Sequence, residues 1–228
     1  MPIWLDDLLL NFFSLEIIRE AWPILLHGLW QTVLLSLLVV PLGLAGGVML
    51  AVLSTVRTPW VRWPLMVWVD VFRALPPLVL LVFVYAGLPF AGIEVNAWTA
   101  VAIGFFLNTG AYYGEILRAG IESVPAGQSE AARSLGLSRL RAMRLVVLPQ
   151  AVRNVLPDLV SNTLEVVKLT SIASVVALPE LLFQARQAQS VTYNATPIMV
   201  AAIAYVLLLW PLVRLVSRLE NRQLAGKR

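Results

Sequence analysis

The chain has 228 residues, of which 59% are hydrophobic and 13% charged, and its mean hydropathy is +0.81. Water-soluble domains carry about 25% charged residues, so this composition excludes an ordinary soluble enzyme and indicates an integral membrane protein. The absence of cysteine excludes disulfides and thiolate chemistry, and the single histidine, His27, excludes a histidine-cluster metal site. We therefore expect neither a metal site nor catalytic residues in this chain.

Five apolar segments are long enough to cross a bilayer, which takes about 20 helical residues. They cover residues 24–53, 63–88, 97–117, 156–183 and 197–216. Pro41 and Gly43 interrupt the first segment, and Pro76-Pro77 interrupt the second, so both places are candidate hinges where backbone hydrogen bonding is weakened. The sequence thus predicts an all-α membrane protein with five transmembrane helices.

Residues 4–18 precede the first span and are apolar, but they include Asp6, Asp7 and Glu16. This segment is too short and too acidic to cross the membrane, and it lacks the basic flank of a signal peptide. We expect an amphipathic helix that lies on the membrane surface.

The lysines and arginines give the chain an orientation, because basic residues collect on the cytoplasmic side. Of the 17, 13 fall on one side of the predicted spans and only Arg19 and Arg186 on the other, while Arg73 and Lys168 lie inside spans. The 13 are Arg57, Arg62, Arg118, Arg133, Arg139, Arg141, Arg144, Arg153, Arg214, Arg218, Arg222, Lys227 and Arg228. This split predicts a periplasmic N-terminus and a cytoplasmic C-terminus, and it explains the basic pI without a nucleic-acid partner.

One long cytoplasmic loop, residues 118–155, joins the third and fourth spans. Pro125 and Pro149 bracket two short helical patterns, with Gly136 suited to a tight turn between them and Ser138 to capping the second helix. The first helix is expected to expose the small residues Ala131 and Ala132 to another protein. The alternative is an amphipathic helix pair that lies along the lipid headgroups.

The same loop carries a specific motif. Glu130-Ala131-Ala132, Gly136, Val146 and Leu148-Pro149 stand at the spacing EAA-x3-G-x9-I-x-LP, with valine in place of isoleucine. This pattern resembles the EAA loop of bacterial ABC-importer permeases. Further segments are similar to the polar amino-acid (histidine/glutamine/arginine-type) permease family, namely residues 69–76, 107–112, 115–121, 168–171 and 178–181.

The resemblance implies a type I importer transmembrane domain that occupies residues 1–228, with cytoplasmic coupling helices. It also implies three kinds of protein partner: a pair of ATPase subunits on the EAA loops, a second permease subunit, and a periplasmic substrate-binding protein. The coupling residues would be Glu130, Ala131, Ala132, Gly136, Leu148 and Pro149. A phosphate-binding G-x-x-x-x-G-K-[ST] loop is absent from the sequence, so ATP and Mg²⁺ are expected on the ATPase and no cofactor on this chain.

Ionisable residues inside spans are functional hypotheses, because each costs about 2.5–3.5 kcal/mol at mid-bilayer. Asp70, Arg73 and Glu115 are predicted to form an ion-pair network, with substrate contact as the alternative. Glu165 and Lys168 lie one helical turn apart, so they either pair with each other or meet the two charged groups of an amino acid.

The predicted substrate pathway consists of Asn108, Thr109, Tyr112, Glu165, Lys168, Thr170 and Ser171. For Asn108, Thr109 and Tyr112 the alternative is hydrogen bonding between helices. Leu169 and Leu75 stand where the family tends to have aspartate and threonine, which leaves the substrate's identity open.

These features predict the permease subunit of an ABC importer in the bacterial inner membrane, carrying a polar amino acid or a relative such as an opine. The chain itself would not be an enzyme. The alternative is a self-sufficient secondary transporter or channel, which fits the buried charges and broken helices but leaves the EAA-like loop unexplained.

Overall fold

The computed structural model describes residues 8, 10–56 and 58–225, without the side chains of residues 219–225. Every regular element in this part of the chain is helical. The α-helices are α1 (Leu15–Ser54), α2 (Pro59–Ala74), α3 (Pro77–Val82), α4 (Ala97–Glu122), α5 (Ala126–Ser134), α6 (Arg139–Ala142), α7 (Leu148–Leu169), α8 (Leu181–Thr192) and α9 (Thr196–Ala225). Phe83–Gly87 and Met143–Val147 are π-helical turns, and Leu88–Ala91 and Thr170–Val176 are 3-10 turns.

Helix α4 is the centre of the molecule, with α1, α2, α3 and α7 packed around it. Its contact with α1 is the most extensive, because glycines on both helices bring the two backbones close. A Cβ atom at Gly47 would lie 2.9 Å from the backbone nitrogen of Gly114, and one at Gly114 would lie 2.9 Å from Leu50 Cβ. Larger side chains at these positions would force the helices apart.

The expected interruption of the first span is absent, since α1 continues as a helix through Pro41 and Gly43. Gly43 lies on the buried face of α1, where an added Cβ would clash with the Thr109 side chain of α4. The structure therefore corrects the predicted hinge here: the glycines serve close packing.

The second predicted span is broken, as Pro76-Pro77 indicated. Helix α2 ends at Ala74, and the following helical segment, Pro77–Ala91, makes an angle of 101° with it. A proline forces the residue before it into extended geometry, and both Leu75 (ψ 128°) and Pro76 (ψ 131°) are extended. We call this bend, from Ala74 to Pro77, the elbow.

The fourth predicted span, 156–183, is wrong as a single helix. A continuous helical run covers Arg139–Val176, so it begins inside the predicted loop and ends before the predicted boundary. Pro149 does not break the run, because it closely follows the π-helical turn Met143–Val147, where the regular α-helical hydrogen bonding is already interrupted. Ala177 then adopts a left-handed conformation (φ 56°), and the chain turns into α8.

Among the described residues, three helical runs are long and apolar enough to cross a membrane: Leu10–Ser54, Arg139–Val176 and Thr196–Arg218. The pair bent at the elbow makes a fourth if it is one span. The third predicted span, residues 97–117, is also helical, but Asn108, Thr109 and two tyrosines lower its hydropathy. Helix α4 tolerates these polar groups because its neighbours cover most of it.

The N-terminal segment is tied to the corner between α8 and α9. Asn194 Nδ2 donates a hydrogen bond to the Leu10 carbonyl (2.9 Å), and the Ala195 amide donates to the Asn11 carbonyl (3.0 Å). Of the predicted surface helix, residues 4–18, residues 4–7 and 9 lie outside the described residues, and residues 15–18 form the first turn of α1.

Candidate functional site: coupling hairpin, elbow and polar helix face

The loop between α4 and α7 folds into a helical hairpin, α5 and α6, which we call the coupling hairpin. Gly136 makes its turn with a φ of +87°, a conformation that side chains other than glycine adopt only with strain. The Ser138 hydroxyl accepts a hydrogen bond from the Arg141 amide (3.4 Å) at the start of α6. The predicted turn and cap are thus confirmed by the structure.

The motif residues of the hairpin divide between an exposed and a buried side. Glu130 and Ala131 are exposed, whereas Ala132 is 5% exposed, which corrects the expectation that both alanines face outward. An open groove of about 580 Å³ beside the turn is lined by Glu130, Arg133, Ser134, Gly136, Leu137, Ser138 and Arg139. Leu148 and Pro149 lie at the start of α7, outside this groove.

The coupling hairpin is fastened to the ends of α4 and α7. Asn154 Nδ2 of α7 donates a hydrogen bond to the hydroxyl of Ser123, directly after α4 (2.9 Å). Beneath the hairpin, Val124, Val147 and Ala151 form a buried apolar cluster. Because both attachments are packed, a displacement of the hairpin would move α4 and α7 with it.

A chain of ion pairs follows one face of α4 toward the hairpin. Arg118 holds Glu115 through two hydrogen bonds of 2.6 and 2.9 Å and also pairs with Glu122 at 2.6 Å. Arg73 of α2 lies 3.8 Å from Glu115, as the predicted network required. Glu115, Arg118 and Glu122 line a cavity of about 230 Å³, and Asp70 lines it too. Asp70 forms no ion pair with another described residue, however, so it does not belong to the network.

The elbow leaves two backbone carbonyls without their helical partners. In a continuous helix the amides of residues 76 and 77 would donate to the carbonyls of Phe72 and Arg73, but proline has no N–H. Asn108 Nδ2 donates to the Phe72 carbonyl instead (2.8 Å), and the Tyr112 hydroxyl donates to the Arg73 carbonyl (3.2 Å). Two side chains of α4 thus replace the two hydrogen bonds that the prolines abolish.

This arrangement settles where three predicted pathway residues lie. Asn108 and Thr109 are each 2% exposed, and the Thr109 hydroxyl donates to the Phe105 carbonyl of its own helix (2.6 Å). Neither side chain borders open space, so the geometry favours the alternative of packing and hydrogen bonding inside the subunit. Tyr112 is 36% exposed, and the Arg73 guanidinium lies 5.4 Å from its ring centroid.

Helix α7 carries a stripe of polar side chains, which we call the polar face. Its members lie at helical spacing along one side, with Ser161 and Asn162 adjacent, and are exposed or half-buried: Asn154, Asp158, Ser161, Asn162, Glu165 and Lys168. Lys168 Nζ lies 2.6 Å from Glu165 Oε1, with 48% and 62% of the two side chains exposed. The opposite side of α7 is buried through Val155, Leu164 and Val167.

The last two predicted pathway residues follow the polar face directly. Thr170 is fully buried and donates to the Val167 carbonyl, so it borders no open surface. Ser171 is half-buried and donates to the Lys168 carbonyl (2.9 Å).

Residues 43–224 match the model of one protein family, the binding-protein-dependent transport system inner membrane component. The match covers most of the chain. The chain belongs to this family. It is a multi-pass permease of the inner membrane.

Similar proteins are also named as permease proteins of amino-acid transport systems. The permease is 38% identical over 174 residues to the probable amino-acid ABC transporter permease protein YckA of Bacillus subtilis (strain 168), covering 76% of this chain and 77% of that one. It is 33% identical over 204 residues to the arginine transport system permease protein ArtQ of the same organism (88% and 92%). It is 33% identical over 210 residues to the probable glutamine ABC transporter permease protein GlnM, also from that organism (92% and 97%).

Solved structures give the fold. The permease matches a chain from the crystal structure of an amino acid ABC transporter with histidines at a TM-score of 0.83 and 34% identity, over 92% of this chain and 98% of that one. An inward-facing MetNI methionine ABC transporter matches at 0.75 with 19% identity, over 90% and 97%, and this likeness concerns the fold alone. The permease has the type I importer transmembrane fold.

Sequence reasoning missed Glu180 of the permease. Its carboxylate is completely buried, accepts hydrogen bonds from the amides of Leu182 and Phe183 (2.9 and 2.7 Å) and accepts one from the Tyr205 hydroxyl (2.9 Å). Glu180 thereby caps α8 and ties it to α9. Glutamate is not one of the residues that usually begin a helix as a cap, and its partner Tyr205 lies 25 residues along the chain, so neither contact could be read locally.

Proposed function

We propose that this permease carries a polar amino acid, or a close relative such as an opine, inward across the membrane. The energy comes from ATP hydrolysed by separate ATPase subunits at the coupling hairpin, and the chain itself performs no covalent chemistry. The main support for a substrate pathway is the polar face of α7, which the rest of the described subunit does not cover.

Lipid is a poor cover for the polar face. Charged side chains cost about 2.5–3.5 kcal/mol each in the middle of a bilayer and therefore face protein or water. Asp158, Glu165 and Lys168 lie on a helical run long enough to cross the membrane, yet the rest of the described subunit does not cover them. A second permease subunit, either a copy or a paralogue, would enclose a polar passage along α7.

The pair Glu165–Lys168 fits a zwitterionic substrate. An α-amino acid carries one ammonium and one carboxylate, and the pair offers one charge of each sign to exchange for them. Both side chains are about half exposed, so their mutual ion pair is weak enough to be replaced. The names of YckA, ArtQ and GlnM support an amino acid as the class of substrate.

The coupling hairpin fits the role of an ATPase contact. It presents Glu130, Ala131 and the groove beside Gly136, and its attachments lead directly into α4 and α7. Nucleotide and Mg²⁺ would bind the ATPase. This assigns the hairpin and C-terminus to the cytoplasm and the N-terminus to the periplasm, where a substrate-binding protein delivers the amino acid.

A reconstitution experiment tests the proposal. The permease is incorporated into liposomes with its candidate ATPase and binding protein, and ATP-dependent uptake is measured for amino acids that raise the melting temperature of that binding protein. We expect uptake only when all components are present. Uptake by the permease alone would instead establish the self-sufficient secondary transporter or channel.

Two glycines provide a matched test of coupling. Gly136→Leu should leave assembly intact but reduce uptake at least about tenfold, because a left-handed leucine costs about 1–2 kcal/mol and distorts the hairpin turn. Gly92 also has a left-handed backbone (φ 79°) with no atom near its missing Cβ, but it precedes the other end of α4. Gly92→Leu introduces the same strain and should retain uptake. Equal losses of uptake in the two variants would show that the hairpin turn has no special role in coupling.

A further inference from the structure

Asn108 and Tyr112 meet the elbow in different surroundings. Asn108 is 2% exposed and its hydrogen bond to the Phe72 carbonyl is short at 2.8 Å. Tyr112 is 36% exposed and its bond to the Arg73 carbonyl is 3.2 Å long. A carbonyl that loses its donor inside the protein is left unsatisfied, whereas a carbonyl at the exposed surface can take a donor from outside the subunit. The two bonds therefore differ in what breaking them costs.

The weaker bond is also the one connected to the coupling hairpin. Arg73 supplies the carbonyl that Tyr112 holds, stacks on the Tyr112 ring and pairs with Glu115. From Glu115 the ion pairs continue through Arg118 to Glu122, at the end of α4 where the hairpin is attached. Asn108 has no such connection, since its hydrogen bond goes to the backbone carbonyl of Phe72, a half-buried residue that forms no ion pair.

We propose that Asn108 and Tyr112 are positioning residues of the transport cycle: Asn108 anchors the elbow in every state, and Tyr112 holds it in only one of two states. When the hairpin moves, α4 moves with it and shifts against α2, so the bond from Tyr112 to the Arg73 carbonyl breaks and the angle between α2 and α3 changes. This inference rests on the proposed function, because it assumes that ATPase movement reaches the hairpin.

The elbow angle can be measured directly, because the chain contains no cysteine. Spin labels on Val67→Cys and Val79→Cys lie on exposed positions on either side of the elbow. The assembled transporter, with labelled permease diluted by unlabelled, is studied by pulsed electron paramagnetic resonance in its nucleotide-free and ATP-bound states. We expect two different distance distributions. A single unchanged distance in both states would overturn the proposal.

Tyr112→Phe removes only the hydroxyl. We expect the elbow distance to shift in the state that Tyr112 holds and to stay as in the wild type in the other state. Maximal uptake should fall about 2- to 12-fold, the range for one net hydrogen bond in an equilibrium, while the KM for the loaded binding protein stays unchanged. Unchanged distances in both states would refute the assignment.

Tyr113→Phe is the matched control. Tyr113 is the next residue of α4, and its hydroxyl bonds Thr163 of α7 at 2.7 Å, away from the elbow. Tyr113→Phe also removes one tyrosine hydroxyl from α4, but this hydroxyl does not bond the elbow, so the elbow distances should stay unchanged. An equal shift in this variant would show that any loss of a hydrogen bond on α4 moves the elbow, which would overturn the role of Tyr112.

Pro77→Ala tests whether Tyr112 acts through the Arg73 carbonyl. Alanine returns an amide close to this carbonyl and no longer forces Pro76 into extended geometry, so a rearranged elbow can satisfy the carbonyl without the hydroxyl of Tyr112. Tyr112→Phe should then reduce uptake by a smaller factor in the Pro77→Ala background than in the wild type. Equal factors in both backgrounds would contradict the mechanism. If the wild-type complex shows no ATP-dependent uptake, the proposed function fails instead, and the elbow distances still report on Tyr112 alone.

Discussion

Helix α4 supports two neighbouring helices in opposite ways. On one side, Thr109 and Tyr113 pack against Gly43 and Gly47 of α1, which stays helical through Pro41. On the adjacent side, Asn108 and Tyr112 bond the carbonyls that Pro76 and Pro77 leave free, and there the chain bends by 101°. Both pairs are spaced four residues apart, one position out of register with each other.

The difference shows that proline alone does not decide whether a membrane helix breaks. Pro41 frees one carbonyl, that of Leu37, and the helix tolerates the loss. Two consecutive prolines free two carbonyls and push two residues into extended geometry, so the helix ends. The bend is then fixed because α4 offers two donors at the right positions.

The largest effect is expected from breaking the α1–α4 contact. Gly47→Val places a branched side chain 2.9 Å from the Gly114 backbone nitrogen, and backbone cannot move aside as a flexible side chain can. We expect a loss of about 3 kcal/mol in stability, at the upper end for overpacking, and little folded permease in the membrane. Thermal unfolding in detergent measures it, with Gly87→Ala as control, since its nearest atom would be 3.6 Å away. A melting temperature like that of the wild type would refute the close contact.

The next effect comes from removing the buried donor at the elbow. Asn108→Leu keeps the approximate volume but removes the donor of the Phe72 carbonyl, whose hydrogen bond is partly buried, and a carbonyl left unsatisfied in the protein costs about 1–3 kcal/mol. The melting temperature should drop, and the distance between labels at Val67 and Val79 should broaden in every nucleotide state. A narrow wild-type distance in this variant would mean that the prolines alone fix the elbow.

Local chemistry was readable from the sequence. The turn at Gly136, the cap at Ser138 and the pairing of Glu165 with Lys168 each depend on residues within four positions, and the structure has all three. The end of the fourth span was not readable, because the composition stays apolar past Ala177, whose left-handed conformation ends the run.

The roles of Asn108 and Tyr112 lay beyond sequence reasoning for a different reason. The carbonyls they hold are 36 and 39 residues away, and only the packing of α2 on α4 brings them together. A polar residue in an apolar span signals a partner without saying which one. The sequence therefore located the polar positions of α4 correctly but did not indicate which carbonyls Asn108 and Tyr112 hold.

A smaller effect is expected at the other side of α4. Tyr113→Phe loses the bond to Thr163, but the Thr163 hydroxyl keeps its bond to the Leu159 carbonyl at 2.8 Å, so no group is left unsatisfied. The loss of stability should be about 1 kcal/mol. Thermal unfolding of this variant beside Asn108→Leu compares the two sides of α4 directly. An equal loss of stability in both variants would show that leaving the Phe72 carbonyl without a donor carries no extra cost.

The smallest effect is expected from Pro41→Ala. Alanine restores the amide that α1 lacks opposite the Leu37 carbonyl, and the new hydrogen bond stabilises the folded state by about 0.5–1.5 kcal/mol. Loss of the proline also makes the unfolded chain more flexible, which offsets part of this stabilisation. Leu37 and Pro41 both lie on the exposed side of α1, so no packing against α4 changes. We expect a melting temperature equal to or slightly above that of the wild type, with uptake retained. A clear loss of uptake in Pro41→Ala would show that α1 bends during transport, and the contrast between an unbroken helix and an elbow would then hold only for the resting state.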